Sequence, residues 1–420
     1  MLIRSFEEYR AQGKRRKTEE LSAQKTVEEI LGRIKAEGDK ALFDYTLRFD
    51  KLDLQASPLT VTEEEIARAY DEVDGELLAA LRRAKDNILG YHEKQVRRDD
   101  IREENGNRIG WRFVPLGRVG IYVPGGKATY PSSVLMCALP AVAAGVGEII
   151  MCTPGYRNPL TLVAARECGI SRIFKVGGAQ AIAAMAYGTE SIPKADLIAG
   201  PGRNYVAIAK KLVYGECAID MIAGPSEILI IADESADPVF LAADFLSQAE
   251  HDEQAKSVLL TTSLKLARRC EEEILRQVKL LPRREIAEKA FENSAIIVTK
   301  SVAEACDFAN EIAPEHLELC LENAGEVVKD IRNAGAVFVG NYSPEPLGDY
   351  FAGPSHVLPT DGTAKFFSVL NVDNFVRRVS YIEYGERNLK AAAKDIIAIA
   401  ECEGLSAHAN SVRVRLNPNK

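Results

Sequence analysis

Residues 148–176 read EIIMCTPGYRNPLTLVAARECGISRIFKV. Two short apolar runs, Glu148–Cys152 and Arg172–Val176, flank a Pro-Gly turn and a helix-forming stretch, Leu160–Cys168. Short apolar runs beside turn signals predict buried strands, and strands alternating with helices predict a parallel sheet covered by helices on its faces. The same alternation reaches outward to Val119–Val123, Asp196–Ala199 and Ile228–Ile231. It then continues through Ser257–Thr262, Ala295–Thr299 and Ala336–Val339, with helical sequence such as Leu264–Lys279 between, which predicts a second α/β unit. Upstream, Glu19 to Lys94 carries apolar residues at helical spacing, as in Ile66, Ala69, Tyr70 and Val73, so a helical N-terminal region is expected. Beyond Asp373 the sequence returns to a charged helical stretch, Asn388–Glu403, and an alternating segment, Ser411–Leu416, as a small C-terminal appendage.

At 420 residues and 46% apolar content the chain exceeds what one core organises. A net charge of −8, with no basic run beyond Lys14–Lys17, argues against nucleic acid as a partner. No secretory signal is visible in Met1–Glu8, and the richest apolar stretch, Val134–Val146, falls short of the about 18 residues a membrane span needs. A cytoplasmic protein without a membrane span is expected. The eight cysteines lack a Cys-x-x-Cys pair and read as reduced, mostly buried thiols, which disfavours a thiolate zinc site.

Only five histidines occur, and four of them, His251, His316, His356 and His408, sit in compact polar motifs. Asp237-Pro238 is a helix start, and the helix that follows turns Leu241 and Phe245 inward. Gln248 and His251, three apart, then share one face, where an amide oxygen and a neutral imidazole suit zinc or a related divalent metal. A surface glutamine and histidine would give the same spacing. Asp349 in a Gly-Asp turn and His408 near the C-terminus are further oxygen and nitrogen donors, though spacing alone does not unite them with the pair. Glu315-His316 follows Pro314 and places an acid beside an imidazole at an irregular helix start, either as a proton-transfer pair or as the ordinary opening of a proline-started helix. His356 is expected on a loop, and His92 reads as an exposed helix residue. Gly200-Pro-Gly202 lacks the third glycine of a dinucleotide fingerprint, but Pro124-Gly-Gly126, Gly177-Gly178 and Gly200–Gly202 lie where strands meet helices, so their amides are candidates to face a pyrophosphate.

Eight motifs in order, Gly120-Ile-Tyr-Val-Pro-Gly-Gly126, Gly177-Gly-Ala-Gln-Ala181, Tyr187-Gly-Thr-Glu-Ser-Ile-Pro193, Ala223-Gly-Pro-Ser-Glu227, Ser247-Gln-Ala-Glu-His251, Pro314-Glu-His-Leu-Glu318, His356-Val-Leu-Pro359 and Glu403-Gly-Leu-Ser-Ala-His408, resemble the histidinol dehydrogenase family across nearly the whole chain. The resemblance implies an NAD-dependent enzyme that oxidises L-histidinol through L-histidinal to L-histidine, the last steps of histidine biosynthesis. It implies one Zn2+ per subunit on Gln248, His251, Asp349 and His408, His316 as the base and Glu315 as the group that activates water. Ser226, His356 and Glu403 match substrate-contacting positions, alongside Gln248, His251, His316, Asp349 and His408; Tyr122 and Gln180 match positions that touch NAD. Arg203 stands where the family carries Asn, which opens the choice between NAD and NADP at that contact. The implied fold has two incomplete Rossmann-like domains, one (118–227) inserted in the other (1–117 with 228–372), and a tail (373–420) swapped between the subunits of a homodimer. A related dehydrogenase for another polyol or a sulfonated diol, and a zinc hydrolase using Glu315 as base, are the alternatives.

Overall fold

The computed structural model describes residues 2–12, 17–125, 130–170, 172–202, 204–222 and 224–416. Two compact units divide the chain: Met1–Gln95 with Leu116–Phe375, and Val96–Pro115 with Val376–Lys420. The strands, in chain order, are β1 (Asp100–Glu104), β2 (Asn107–Pro115), β3 (Arg118–Tyr122), β4 (Glu148–Cys152), β5 (Arg172–Phe174), β6 (Leu197–Ala199), β7 (Ala218–Ile219), β8 (Glu227–Ala232), β9 (Lys256–Thr261), β10 (Ala295–Val298), β11 (His316–Cys320), β12 (Ala336–Val339) and β13 (Val376–Glu383).

The larger unit holds two five-stranded sheets, β5-β4-β3-β6-β7 and β10-β9-β8-β11-β12, and every pairing in them is parallel. Each repeats the order 3-2-1-4-5 of a dinucleotide-binding fold and stops one strand short of the full six, so the expected pair of incomplete Rossmann-like sheets is present. Strands covered on both faces read as continuous apolar runs rather than alternating ones, which is why Ile149–Cys152 and Ile228–Ile231 are buried throughout. The helix Lys17–Glu37 of the helical N-terminal region packs with the helices Gly178–Tyr187 and Asn204–Val213 in one core against the first sheet. Ile3 makes a parallel bridge to Ile296, so the chain start extends the edge of the second sheet.

Asp237 caps the helix Pro238–Ala249 by accepting from Val239 N–H at 2.9 Å, as the sequence suggests. Its inner face, Leu241, Ala242, Phe245 and Leu246, is buried in the core of the second sheet, and truncating Phe245 to alanine there costs on the order of 3–5 kcal/mol. This helix follows β8 and returns against the strand direction. Its C-terminal turn therefore reaches the amino-terminal edge of the sheet.

The smaller unit is an antiparallel sheet, β1-β2-β13, with the helices Glu386–Cys402 and Ser406–Leu416. Its β1–β2 hairpin turns at Asn105 (φ 52°) and Gly106 (φ 77°), the positive-φ pair of a type I′ turn, an Asn-Gly signal that the sequence carries openly. Ser411–Leu416, expected as an alternating segment, is helical instead. Val412 and Leu416 also stand four apart, and the Arg415 guanidinium donates to the Ser411 carbonyl one turn back, at 2.6 Å. His92 is likewise buried rather than exposed, its Nδ1 2.9 Å from Gln95 Oε1. All eight thiols are free and seven are buried, as expected. Among the described residues no helix is long and apolar enough to cross a membrane.

Candidate active site

Glu315 and His316 do not open a helix. The helix Val302–Ile312 ends on Ala313 in the left-handed region (φ 53°), an uncommon conformation for a residue with a Cβ, and the chain then enters β11 with His316 as its first residue. Strand pairing puts His316 opposite Ile228 of β8, next to Glu227, and Glu227 holds both members of the dyad. Its N–H donates to Glu315 Oε2 at 2.8 Å, and its carbonyl lies 3.0 Å from His316 Nδ1. Because a carbonyl only accepts, Nδ1 carries the hydrogen, and Nε2 is the atom that exchanges a proton. Among the described residues no group hydrogen-bonds to Nε2, which faces Asp349 Oδ1 at 3.5 Å and Glu345 Oε1 at 4.0 Å.

Electrostatics at this point are acid-rich. Burial pushes the Glu315 carboxyl up to about 8, against the pull of His316, and pushes Glu345 up to about 8, reinforced by Asp349. Burial works against the His316 imidazolium, but Glu315, Asp349 and Glu345 outweigh it and raise the group to about 10. Asp349 stays ionised: burial opposes its charge, and the two imidazoles, His316 and His356, hold it well below the usual carboxylate range. Glu345 is raised in part by its neighbour Asp349, a repulsion that a bound cation would relieve.

Gln248 supplies a second sign of a missing partner. It is fully buried, and neither its amide oxygen nor its amide nitrogen has a hydrogen-bond partner, a costly state for a buried polar group. His251 lies past the end of the same helix, in the turn that closes it, rather than on a helical face shared with Gln248 as the spacing suggests, and its N–H donates to the Gln248 carbonyl at 3.2 Å. Burial lowers its pKa, against the pull of Asp349, and so favours the neutral imidazole that a metal needs. Asp349 lies on the short helix Glu345–Tyr350, tied to the Gln248 helix where Ser247 Oγ donates to Glu345 Oε2 at 3.1 Å. Ligand atoms of His316, Glu345 and Asp349 lie within 4.8 Å of one another. That group shares only Asp349 with the expected zinc ligands, and its imidazole is held protonated; Gln248, His251 and Asp349 are the donors of the kind a divalent cation takes.

His356 sits on the loop that follows, as expected, with Nδ1 3.1 Å from the Asp349 carbonyl and Nε2 3.2 Å from Ser133 Oγ. Ser226 immediately precedes β8, its carbonyl accepting from Lys256 N–H at 3.1 Å. Glu345 and Ser133 were not foreseen. Glu345 was legible as the i, i+4 partner of Asp349, while Ser133 is placed only by the packing of the helix Pro131–Ala144 near His356. Glu403 and His408 belong to the smaller unit, exposed together in a recess with Ile396, Ile399, Leu405 and Val412.

The substrate candidates gather at the amino-terminal edge of the second sheet, since Glu227 and His316 are the first residues of β8 and β11. The cofactor candidates gather at the opposite, carboxyl-terminal edge of the first sheet. Tyr122 ends β3, and Gln180 lies in the first turn of the helix Gly178–Tyr187. The free amides expected there are already bonded. Gly178 N–H donates to the Tyr122 hydroxyl at 3.0 Å, Gly177 N–H to Asp50 Oδ2 at 3.3 Å, and Gly200 N–H to Asp220 Oδ2 at 2.7 Å. Gln180 Nε2 also donates to Asp50, at 3.1 Å, while the Tyr122 hydroxyl keeps its own hydrogen to donate. Gly126 and Arg203 lie outside the described residues.

Comparison with known proteins matches residues 13–416 to the histidinol dehydrogenase family. A histidinol dehydrogenase of Heliobacterium mobile is 55% identical over 396 residues, 93% of each chain. That of Carboxydothermus hydrogenoformans is 51% identical over 421 residues, 99% of each chain. The crystal structure of histidinol dehydrogenase from Elizabethkingia anophelis superposes with a TM-score of 0.89 at 41% identity, covering 94% of this chain and 92% of that one. Sequence and fold agree over nearly the whole length, twin incomplete Rossmann-like sheets included, and the chain belongs to the histidinol dehydrogenase family.

Proposed function

We propose that this chain oxidises L-histidinol to L-histidine through L-histidinal in one site, in the cytoplasm, with His316 and Glu315 as the catalytic pair. The observation that carries the proposal is the bonding of the dyad: Glu227 fixes the hydrogen on His316 Nδ1 and leaves Nε2 without a hydrogen bond among the described residues. In the first oxidation Nε2 takes the hydroxyl proton of the alcohol as the carbon gives up its hydride. Retention of the aldehyde then lets Glu315, beside the imidazole (Oε2 to Nδ1 3.7 Å), draw a proton from water as the hydrate forms, and the second oxidation repeats the first at the same carbon. Burial of both groups keeps bulk water from competing for their proton-transfer atoms.

NAD, near Tyr122 and Gln180, would accept one hydride in each oxidation. Zinc on Gln248, His251, Asp349 and His408 of the partner subunit would anchor the substrate nitrogens and, by neutralising Asp349, loosen the hold of His316 on its proton. Ser226, His356 and Glu403 line the substrate in this reading, and exchange of the C-terminal unit within a homodimer brings Glu403 and His408 to it.

NADH formed from limiting L-histidinol by the zinc-loaded protein tests the proposal. Two NADH per histidinol, abolished by His316→Ala, is the expected result. Turnover of another alcohol in preference to histidinol would move the assignment within the dehydrogenases, and hydrolysis without NADH would overturn it.

A further inference from the structure

Lys210 and Asp220 form an ion pair whose side chains are 2% and 0% exposed. Lys210 lies on the helix Asn204–Val213 and Asp220 directly follows β7. Between them they hold both backbone polar groups of one residue: Lys210 Nζ donates to the Gly200 carbonyl at 2.8 Å, and Asp220 Oδ2 accepts from Gly200 N–H at 2.7 Å. The other carboxylate oxygen, Oδ1, accepts from Met221 N–H at 2.6 Å, at the head of the loop that runs to Ser226. Gly200 directly follows β6, which pairs with β3 at the centre of the first sheet, where the strand order reverses and such sheets take their ligands. Its φ of 120° and the approach of Tyr122 O to within 2.1 Å of where a Cβ would stand admit no side chain.

A buried ion pair is a poor device for stability alone, because an apolar pair of the same shape usually does as well. What charges add here is direction, since one donates and one accepts across a single peptide plane on each side of Gly200. We infer that the Lys210–Asp220 pair is a positioning element that sets the Gly200–Gly202 turn for the dinucleotide and couples it to the loop carrying Ser226. The inference rests on the cofactor reading proposed above. Neither residue touches the reacting atoms.

The test is the paired variant Lys210→Met/Asp220→Asn, which strands no charge, assayed with the zinc-loaded dimer. The KM for NAD should rise at least about tenfold, as expected when binding groups lose their alignment, while zinc content and the KM for histidinol stay within twofold. An unchanged KM for NAD, or equal rises in both KM values, would overturn the inference. A wild-type enzyme that forms no NADH would overturn the cofactor reading itself and this inference with it. If the variant does not fold, hydrogen exchange of the wild type decides: NAD should add protection both at 200–202 and at 220–226. Protection confined to the first segment would refute the coupling.

Discussion

His316 Nδ1 donates to the backbone carbonyl of Glu227 at 3.0 Å, so the tautomer of the proposed base is set by the first residue of the neighbouring strand. The N–H of the same residue holds Glu315. One residue at the head of β8 thereby orients both groups, and the two proposed roles separate by mutation. His316→Ala should lower histidinol turnover by about 10²–10⁴, the usual contribution of a positioned base. Glu315→Gln should spare the first oxidation and slow the second, so that NADH per histidinol falls from two toward one and aldehyde is trapped by semicarbazide. Equal loss of both oxidations in Glu315→Gln would refute the division of labour.

Gln248 gives a second prediction because both its amide atoms are buried without partners. Gln248→Leu keeps the volume and removes two unsatisfied polar atoms, so the metal-free protein should be as stable or more stable, by roughly 1–3 kcal/mol. Zinc affinity should fall by at least about tenfold, since a ligand is lost. Urea midpoints of metal-free protein and zinc titrations check the two halves separately. A destabilised metal-free variant with unaltered zinc affinity would assign Gln248 to packing.

Behind the site, the half-buried Asp244 on the Gln248 helix interacts with the buried Glu318 on β11. Glu318 Oε1 accepts from Glu345 N–H at 2.7 Å and so fixes the start of the helix that carries Asp349. Burial raises both acids, Asp244 to about 6. An acid whose folded pKa exceeds its unfolded value binds its proton more tightly in the folded state. The stability from Asp244 is therefore present below about pH 4 and lost as pH rises through about 6, a swing of up to about 3 kcal/mol. Asp244→Asn removes that swing. The wild type should lose stability relative to the variant between pH 4 and 6, read as diverging urea midpoints, and parallel curves would count against a raised Asp244.

The architecture was legible because doubly covered strands write themselves as apolar runs, and residues 148–176 contain a complete strand-helix-strand unit. What stayed hidden depended on contacts distant in sequence. Glu315-His316 looks like a helix start, since proline and an early glutamate favour one, but pairing with β8 and β12 overrides that local preference. The glycine amides at 177, 178 and 200 looked free because their acceptors, Asp50, Tyr122 and Asp220, stand between 20 and 127 residues away. Glu345 is hidden for a nearer reason: Gly348-Asp349 reads as a turn in the sequence, and only a helix places Glu345 on the same face.

The proposed exchange of Glu403 and His408 between subunits makes a quantitative prediction. His316→Ala and His408→Ala should each abolish turnover, one by losing the base and the other by losing a zinc donor. In a mixed dimer the two lesions fall in the same site if His408 serves the partner, because the His408→Ala chain lends its defective tail to the site that already lacks His316. The other site then combines an intact His316 with an intact His408 from the His316→Ala chain and is fully wild type. Random assortment gives half mixed dimers with one working site each, so co-refolding equal amounts of the two inactive proteins should restore about a quarter of wild-type activity. If His408 served its own chain, every mixed dimer would carry one lesion per site and stay inactive. Activity after co-refolding, with each variant refolded alone as the control, decides between the two.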